Sequence, residues 1–248
     1  MKEEINRTIF NKWVDDKHYM KNKIRRSSIL LETHIFKKLL KLEQRPFSFL
    51  DLGCGDARHY KTILIDKYKV DFDYTGIDIS ERSLTIAKKN IKNGKFILIK
   101  KFSELSIYLI SSDANIISFI GLLQYLNIEE IDRLFKDIQK NKNCKYIIIE
   151  NPFYLKRKVS NSYIKGYGYT HNINKVKSIF KAHKFKIKSI SYDDTLPFFY
   201  LTQIRCLNQS YTFHKIQKIL EYIFHVYLSR IIPKIFEARS YFMILERN

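Results

Sequence analysis

The sequence predicts an α/β protein built on a mostly parallel sheet, and three observations carry that expectation. An apolar stretch, Phe47 to Leu52, stops at an acid and two glycines in Asp51-Leu52-Gly53-Cys54-Gly55. A second short stretch, Tyr74-Thr75-Gly76-Ile77-Asp78-Ile79-Ser80, ends in another acid about 25 residues further on. From there apolar strands alternate with helical patterns, the signature of a parallel sheet joined by crossover helices.

The core begins at Phe47. The run to Leu52 reads as a buried strand, and the glycines turn it tightly so that the backbone can approach a ligand with no Cβ in the way. Arg58 to Tyr68 then reads as a first helix, and Ser80 is the expected N-cap of a second that opens at Glu81. Phe96 to Lys100 is a short third strand. Asn115 to Phe119 is a fourth, followed by Gly121-Leu122-Leu123-Gln124-Tyr125-Leu126 and a helix from Ile128 to Asn141. Tyr146 to Glu150 is a fifth, with Asn151-Pro152-Phe153-Tyr154 read as a loop opening on its proline. A helix over Asn174 to His183, a sixth strand over Phe185 to Tyr192 and a last strand over Tyr241 to Glu246, antiparallel to the sixth, complete the order.

Two regions lie outside this scheme. Residues 1–45 read as a cap of amphipathic helices, with Phe10, Trp13, Val14 and Tyr19, then Ile29, Leu30, Ile35 and Leu39, as apolar faces. Residues 195–239 form an insertion before the last strand that is rich in Phe and Tyr and is expected to be helical. The remainder, 46–248, is one domain.

The composition is that of a globular chain, with 45% hydrophobic and 15% aromatic residues in 248. Cys54, Cys144 and Cys206 give neither a disulfide framework nor a zinc spacing, which points to a reducing, cytoplasmic setting without a bound metal. The N-terminus lacks an apolar signal core, and the apolar stretch from Ile219 to Phe236 is interrupted by Glu221, His225, Arg230 and Lys234, so no membrane span is expected. Net charge is +20, and its distribution is uneven: Lys and Arg against Asp and Glu number 12 and 6 in residues 1–45, 16 and 14 in 46–150, and 17 and 5 in 151–248. The flanks are basic around a nearly neutral centre. An anionic partner follows from this, whether a phosphorylated or nucleotide-linked small molecule, an anionic lipid surface met peripherally, or nucleic acid. A lysine-rich composition produces the same excess, and neither flank contains a recognisable nucleic-acid module.

The glycine turn selects among cofactors. A dinucleotide fingerprint needs a third Gly or Ala at its sixth position for close helix packing, and that position here is Arg58. Asp51 and Asp56 would repel a pyrophosphate and suit a cationic ligand. A nicotinamide oxidoreductase is disfavoured on both counts.

On Asp51, Gly53, Gly55, Ala57 and Asp78 the chain resembles the class I S-adenosylmethionine-dependent methyltransferases, whose first motif is acid-x-Gly-x-Gly-x-Gly and whose second is an acid ending the next strand. Ala57 stands where the family most often has its third glycine. The resemblance covers roughly Phe47 to Asn248 and implies a Rossmann-like, doubly wound, seven-stranded sheet. It implies that Asp51 lies near the methionine ammonium, that Gly53 and Gly55 admit the cofactor, that Asp78 takes the ribose hydroxyls and that Ile79 packs on the adenine. Ser103, in Lys101-Phe102-Ser103-Glu104-Leu105, takes the place of the Asp with which many relatives bind the adenine amino group. Tyr19 is expected over the cofactor mouth, because N-terminal helices lie there in similar enzymes. Gln124 and Tyr125 stand where relatives line the acceptor pocket, with Tyr169 beside them.

Methyl transfer from a sulfonium is an in-line displacement, so holding the acceptor and excluding water matter more than covalent catalysis. A hydroxyl acceptor also benefits from a base. His171, in the glycine-aromatic segment Gly166 to His171, is the candidate, followed by His59, Glu150 and Asp193. The expected activity is O- or N-methylation of a small or conjugated metabolite, of sugar, lipid or natural-product type. The alternatives are an RNA methyltransferase, suggested by charge, and a non-catalytic cofactor-binding partner subunit, suggested by the altered third motif.

Overall fold

A computed structural model describes residues 30–42, 46–154, 169, 171–193 and 238–248, together with 4 and 8. The segment entering the domain is helical, Glu32–Phe36 in π geometry and Lys37–Leu42 in α geometry, together α1. Strand β1 is Phe47–Leu52, and the helix after it, α2, is α-helical over Arg58–Tyr60 and π-helical over Lys61–Lys67. There follow β2, Phe72–Asp78; α3, Glu81–Asn90; β3, Lys95–Leu98; α4, Leu105–Ser111; and β4, Ile116–Ile120. The chain ends in α5, Ile128–Lys140; β5, Tyr146–Tyr154; α6, Ile173–Ala182; β6, Phe185–Asp193; and β7, Ala238–Arg247.

The seven strands form one sheet in the order β3-β2-β1-β4-β5-β7-β6. Strands β1 to β5 pair in parallel, and β7 lies antiparallel between β5 and β6. The direction of order reverses between β1 and β4. Ligands of open α/β sheets bind in the crevice beyond the carboxyl ends of the strands at such a switch point.

Alternation along the strands builds a core on each face. Leu50, Leu52, Ile117, Phe119, Ile147 and Ile149 face α4, α5 and α6, whereas Phe47, Phe49, Tyr74, Ile116 and Ile148 face α1, α2 and α3. Leu31, which caps α1, and Ile35, Phe36 and Leu39 within it are all at most 1% exposed, so this part of the N-terminal segment belongs to the domain's own core. Glu32 fastens it to α2, accepting from Lys67 Nζ at 2.6 Å and Tyr68 Oη at 2.9 Å.

Several boundaries differ from the expectation, each by a few residues. Helix α4 was not anticipated, because Ile107 and Ile110 point outward, 67% and 43% exposed, and blur its apolar period. Asn151 to Tyr154 is no loop: β5 runs through it, paired with β7 as far as Tyr154 opposite Ala238. Proline is tolerated there for a geometric reason. Glu150 O accepts from Gly121 N at 2.8 Å, on the β4 side, and the pleat turns the Pro152 nitrogen to that same side, where pairing with β4 has ended at Glu150.

Candidate functional site

The glycine turn after β1 is tied to the end of β2. Gly53 N and Cys54 N both donate to Ile77 O, at 2.8 and 3.1 Å. Gly53, Gly55 and Ala57 have φ of 71°, 54° and 55°, the left-handed region that glycine enters without strain. A Cβ at Gly53 would meet Leu122 Cδ1 at 3.1 Å, whereas a Cβ at Gly55 would meet nothing within 4 Å. The loop therefore leaves open space above Gly55. Asp78 borders it with an oriented carboxylate, Oδ2 accepting from Gly55 N and Oδ1 from Ser80 N, each at 2.8 Å. Burial raises its pKa against the backbone donors Ser80, Gly55 and Ile79, and the carboxylate keeps acceptor capacity for a further donor. Ser80 caps α3, accepting from Ser83 N at 3.1 Å. Asp56 is paired with Arg58, whose Nε donates to Oδ2 at 2.6 Å, so the charge in the loop that argued against a pyrophosphate is largely compensated.

Asp51 lies beneath the loop, only 2% exposed. Its Oδ2 accepts from Tyr74 Oη at 2.7 Å and its Oδ1 from Ser118 Oγ at 2.6 Å. Ser118 accepts in turn from Tyr60 Oη at 2.6 Å. Burial, opposed by these bonds and reinforced by Asp78, pushes the Asp51 carboxyl up to about 7. Gly76, opposite Asp51 in the β1–β2 register, makes room for the arrangement: a Cβ there would meet Cys54 Sγ at 2.8 Å and Tyr74 Cε1 at 3.0 Å.

The far wall of the crevice is the turn after β4, a 3₁₀ segment over Leu123–Tyr125. Gly121, φ 71°, starts it. The place a Cβ would occupy on Gly121 is 3.9 Å from both Gln124 Nε2 and Glu150 Oε2, so an amide and a carboxylate flank a bare α-carbon. The turn is held from three sides. Gln124 N donates to Asn151 Oδ1 at 3.0 Å, Tyr169 N donates to Gln124 O at 2.5 Å, and His171 Nε2 lies 3.1 Å from Leu123 O and 2.8 Å from Leu126 O.

The sequence matches the family described as Methyltransferase domain over residues 45–194, which includes the glycine turn, Asp78 and the turn after β4. The chain belongs to the class I methyltransferase family. No curated protein matches it in sequence. Its fold is similar to that of magnesium protoporphyrin IX methyltransferase from Synechocystis PCC 6803, solved with bound S-adenosylmethionine, at 12% identity and a TM-score of 0.60 over 100% of this chain and 98% of that one. It is similar to the cyclopropane synthase MmaA2 from Mycobacterium tuberculosis, at 12% identity and a TM-score of 0.57 over 94% and 87%. Geranyl diphosphate C-methyltransferase from Streptomyces coelicolor A3(2), at 12% identity and a TM-score of 0.57 over 94% and 83%, shares the fold as well.

In this methyltransferase domain the sequence-predicted residues fall into three groups. Asp51, Gly53, Gly55, Asp78 and Ile79 converge at the carboxyl ends of β1 and β2, Ile79 half-buried against the core on the α4–α6 side. Gln124, Tyr125, Glu150 and Tyr169 gather at the ends of β4 and β5, Gln124, Tyr125 and Glu150 half-buried. Ser103 is exposed in a 3₁₀ turn, Phe102–Glu104, after β3. Tyr19, the side chain of Asp193 and the insertion over 195–237 lie outside the described residues.

His171 packs beneath the turn after β4. Its ring is 3% exposed and Nε2 faces two carbonyl oxygens, which accept only, so Nε2 carries a proton and donates. Through that nitrogen it holds the turn. His59 is kept neutral, at about 4, because burial outweighs the pull of Asp56. Sequence reasoning missed Tyr74, Ser118, Tyr60, Gly76 and Asn151. The available signal was a serine inside Ile116-Ile117-Ser118-Phe119-Ile120 and a lone glycine inside a strand, the mark of a close approach.

Among the described residues no helix is long and apolar enough to cross a membrane, and no three His, Cys, Asp or Glu side chains group to hold a metal ion.

Proposed function

We propose that the chain transfers a methyl group from S-adenosylmethionine to an oxygen or nitrogen of a small or conjugated metabolite, releasing S-adenosylhomocysteine. The observation that carries the reading is the cradle itself: open space above Gly55, bordered by an Asp78 carboxylate that the loop's own N–H orients. That pairing fits a nucleoside whose ribose hydroxyls donate to Asp78 and whose body lies on bare backbone. Ile79 offers an apolar face for the adenine. Magnesium protoporphyrin IX methyltransferase was solved with S-adenosylmethionine, and geranyl diphosphate C-methyltransferase with S-adenosylhomocysteine and geranyl-S-thiolodiphosphate, in support of the same class of chemistry.

When bound, the cofactor supplies an electrophilic methyl group on a cationic sulfur. The protein's part is to place a nucleophile in line with it and to keep water out. Glu150, beside Gly121, is the group that would hold an acceptor by its polar hydrogen and is the base for a hydroxyl or ammonium proton, and the Gln124 amide, whose Nε2 donates to Gly121 O at 3.1 Å, borders the same space. His171, Asn151 and the Tyr169 amide keep that wall in place.

The test uses S-adenosylmethionine labelled in its methyl group, incubated with the protein and an extract divided into small-molecule, lipid and RNA fractions. Label in the small-molecule or lipid fraction supports the reading. Label in RNA, with an affinity that falls steeply with salt, would replace it with the RNA methyltransferase suggested by the +20 net charge. Cofactor binding with no label anywhere would favour a partner subunit.

A further inference from the structure

The acid that opens the glycine motif is not turned out toward a ligand; it is built into a chain of hydroxyls. Tyr60 Oη donates to Ser118 Oγ at 2.6 Å, Ser118 donates to Asp51 Oδ1 at 2.6 Å, and Tyr74 donates to Asp51 Oδ2 at 2.7 Å from the other side. The four residues come from β1, α2, β2 and β4, the elements that form the floor of the cofactor crevice. Asp51 and Ser118 are partners in the β1–β4 register, and Asp51 and Gly76 in the β1–β2 register. Around them the rings are dry: Tyr60 lies edge-on to Phe36, Phe49 and Tyr74 at 5.4, 5.1 and 4.9 Å, and Tyr74 is 5.8 Å from Phe96.

We propose that Tyr74, Ser118 and Tyr60 are positioning residues of the cofactor site, which act through Asp51 by fixing its carboxylate beneath the glycine loop as a buried counter-charge for a cationic ligand. The inference rests on the cofactor reading above. It differs from a direct contact, because Asp51 lies beneath the loop, 2% exposed, with its oxygens turned to protein hydroxyls.

The geometry makes binding proton-linked. Two hydroxyl donors favour the ionised carboxylate, and a dry aromatic shell disfavours it. The groups facing Asp51 are Tyr74 and Asp78 of β2, Tyr60 of α2, Ser118 of β4 and Cys54 of the loop, with Asp56, Arg58 and His59 further along that turn. Burial keeps the Tyr60, Tyr74 and Cys54 protons on and His59 neutral, and Asp56 is paired with Arg58. With its carboxyl near 7, Asp51 is partly protonated at neutral pH. A cation above it favours the charged form, so a proton leaves to the buffer on binding.

The experiment is calorimetric titration with S-adenosylhomocysteine between pH 6 and 8.5, in two buffers of different ionisation enthalpy, on wild type, Tyr74→Phe and Ser118→Ala. Wild type should bind more weakly as the pH falls below about 7 and should release a fraction of a proton at neutral pH. Removing one donor raises the carboxyl's pKa, so either variant should lose about fivefold or more at pH 6.5 and less than about twofold at pH 8.5. A wild type with flat affinity and no proton release would overturn the proposal. So would variants that lose affinity equally at every pH, which is what a merely structural role produces. No binding by wild type at any pH would overturn the cofactor reading itself and this inference with it.

Discussion

At the residue scale, the site depends on positions where a side chain is missing as much as on those where one is present. Gly76 is the sharpest case. Alanine there would drive its Cβ to 2.8 Å from Cys54 Sγ and 3.0 Å from Tyr74 Cε1, so Gly76→Ala should destabilise the protein by about 1–3 kcal/mol in urea unfolding. Adding Cys54→Ala should recover part of that loss, a coupling that two independent sites would not show. Asp51 adds a pH effect of known sign. Its folded-state value of about 7 lies above that of an unfolded carboxylate, so its contribution to stability is fully present below about pH 4 and is lost as the pH rises through 7. Thermal melts of the free protein should therefore fall between pH 5 and 8, and saturating S-adenosylhomocysteine should recover more of the loss at the higher pH. The glycines and both acids of the site were legible in the sequence because turn chemistry is local. The hydroxyl chain was not, because Tyr60, Tyr74 and Ser118 meet Asp51 only through strand register and helix packing.

At the scale of elements, caps and turns carry the functional positions. Helix α5 opens on a capping box in which Asn127 Oδ1 accepts from Glu130 N at 2.7 Å and Glu130 Oε2 accepts from Asn127 N at 2.7 Å. Asn127→Ala should cost about 1 kcal/mol of stability, read by chemical denaturation, with little change in cofactor affinity. The turn before it is held by Asn151 and His171, so Asn151→Ala should act in the opposite sense. It strips the acceptor from Gln124 N, and turnover should fall about tenfold or more while S-adenosylhomocysteine affinity changes less than about threefold. Element existence was well predicted from the apolar pattern, with all seven strands found at nearly their expected places. The misses have physical causes: two outward isoleucines hid α4, and a proline concealed the continuation of β5 because its bare nitrogen happens to face the side that β4 has vacated.

For the whole molecule, the sheet order sets the division of labour. Reversal between β1 and β4 opens one crevice, with the cofactor cradle on the β1–β2 side and the Gln124–Glu150 wall on the β4–β5 side. Residues 46–150, which supply the cradle, are nearly neutral, and the net positive charge lies in the sequence on either side of them. The central claim is that the cradle holds S-adenosylmethionine through Asp78, and titration with S-adenosylhomocysteine on wild type and Asp78→Ala tests it most directly. The account predicts micromolar binding by wild type that weakens by roughly 100-fold in the variant, the loss of two hydrogen bonds to a charged group. Absence of binding by wild type, or equal binding by both proteins, would contradict it.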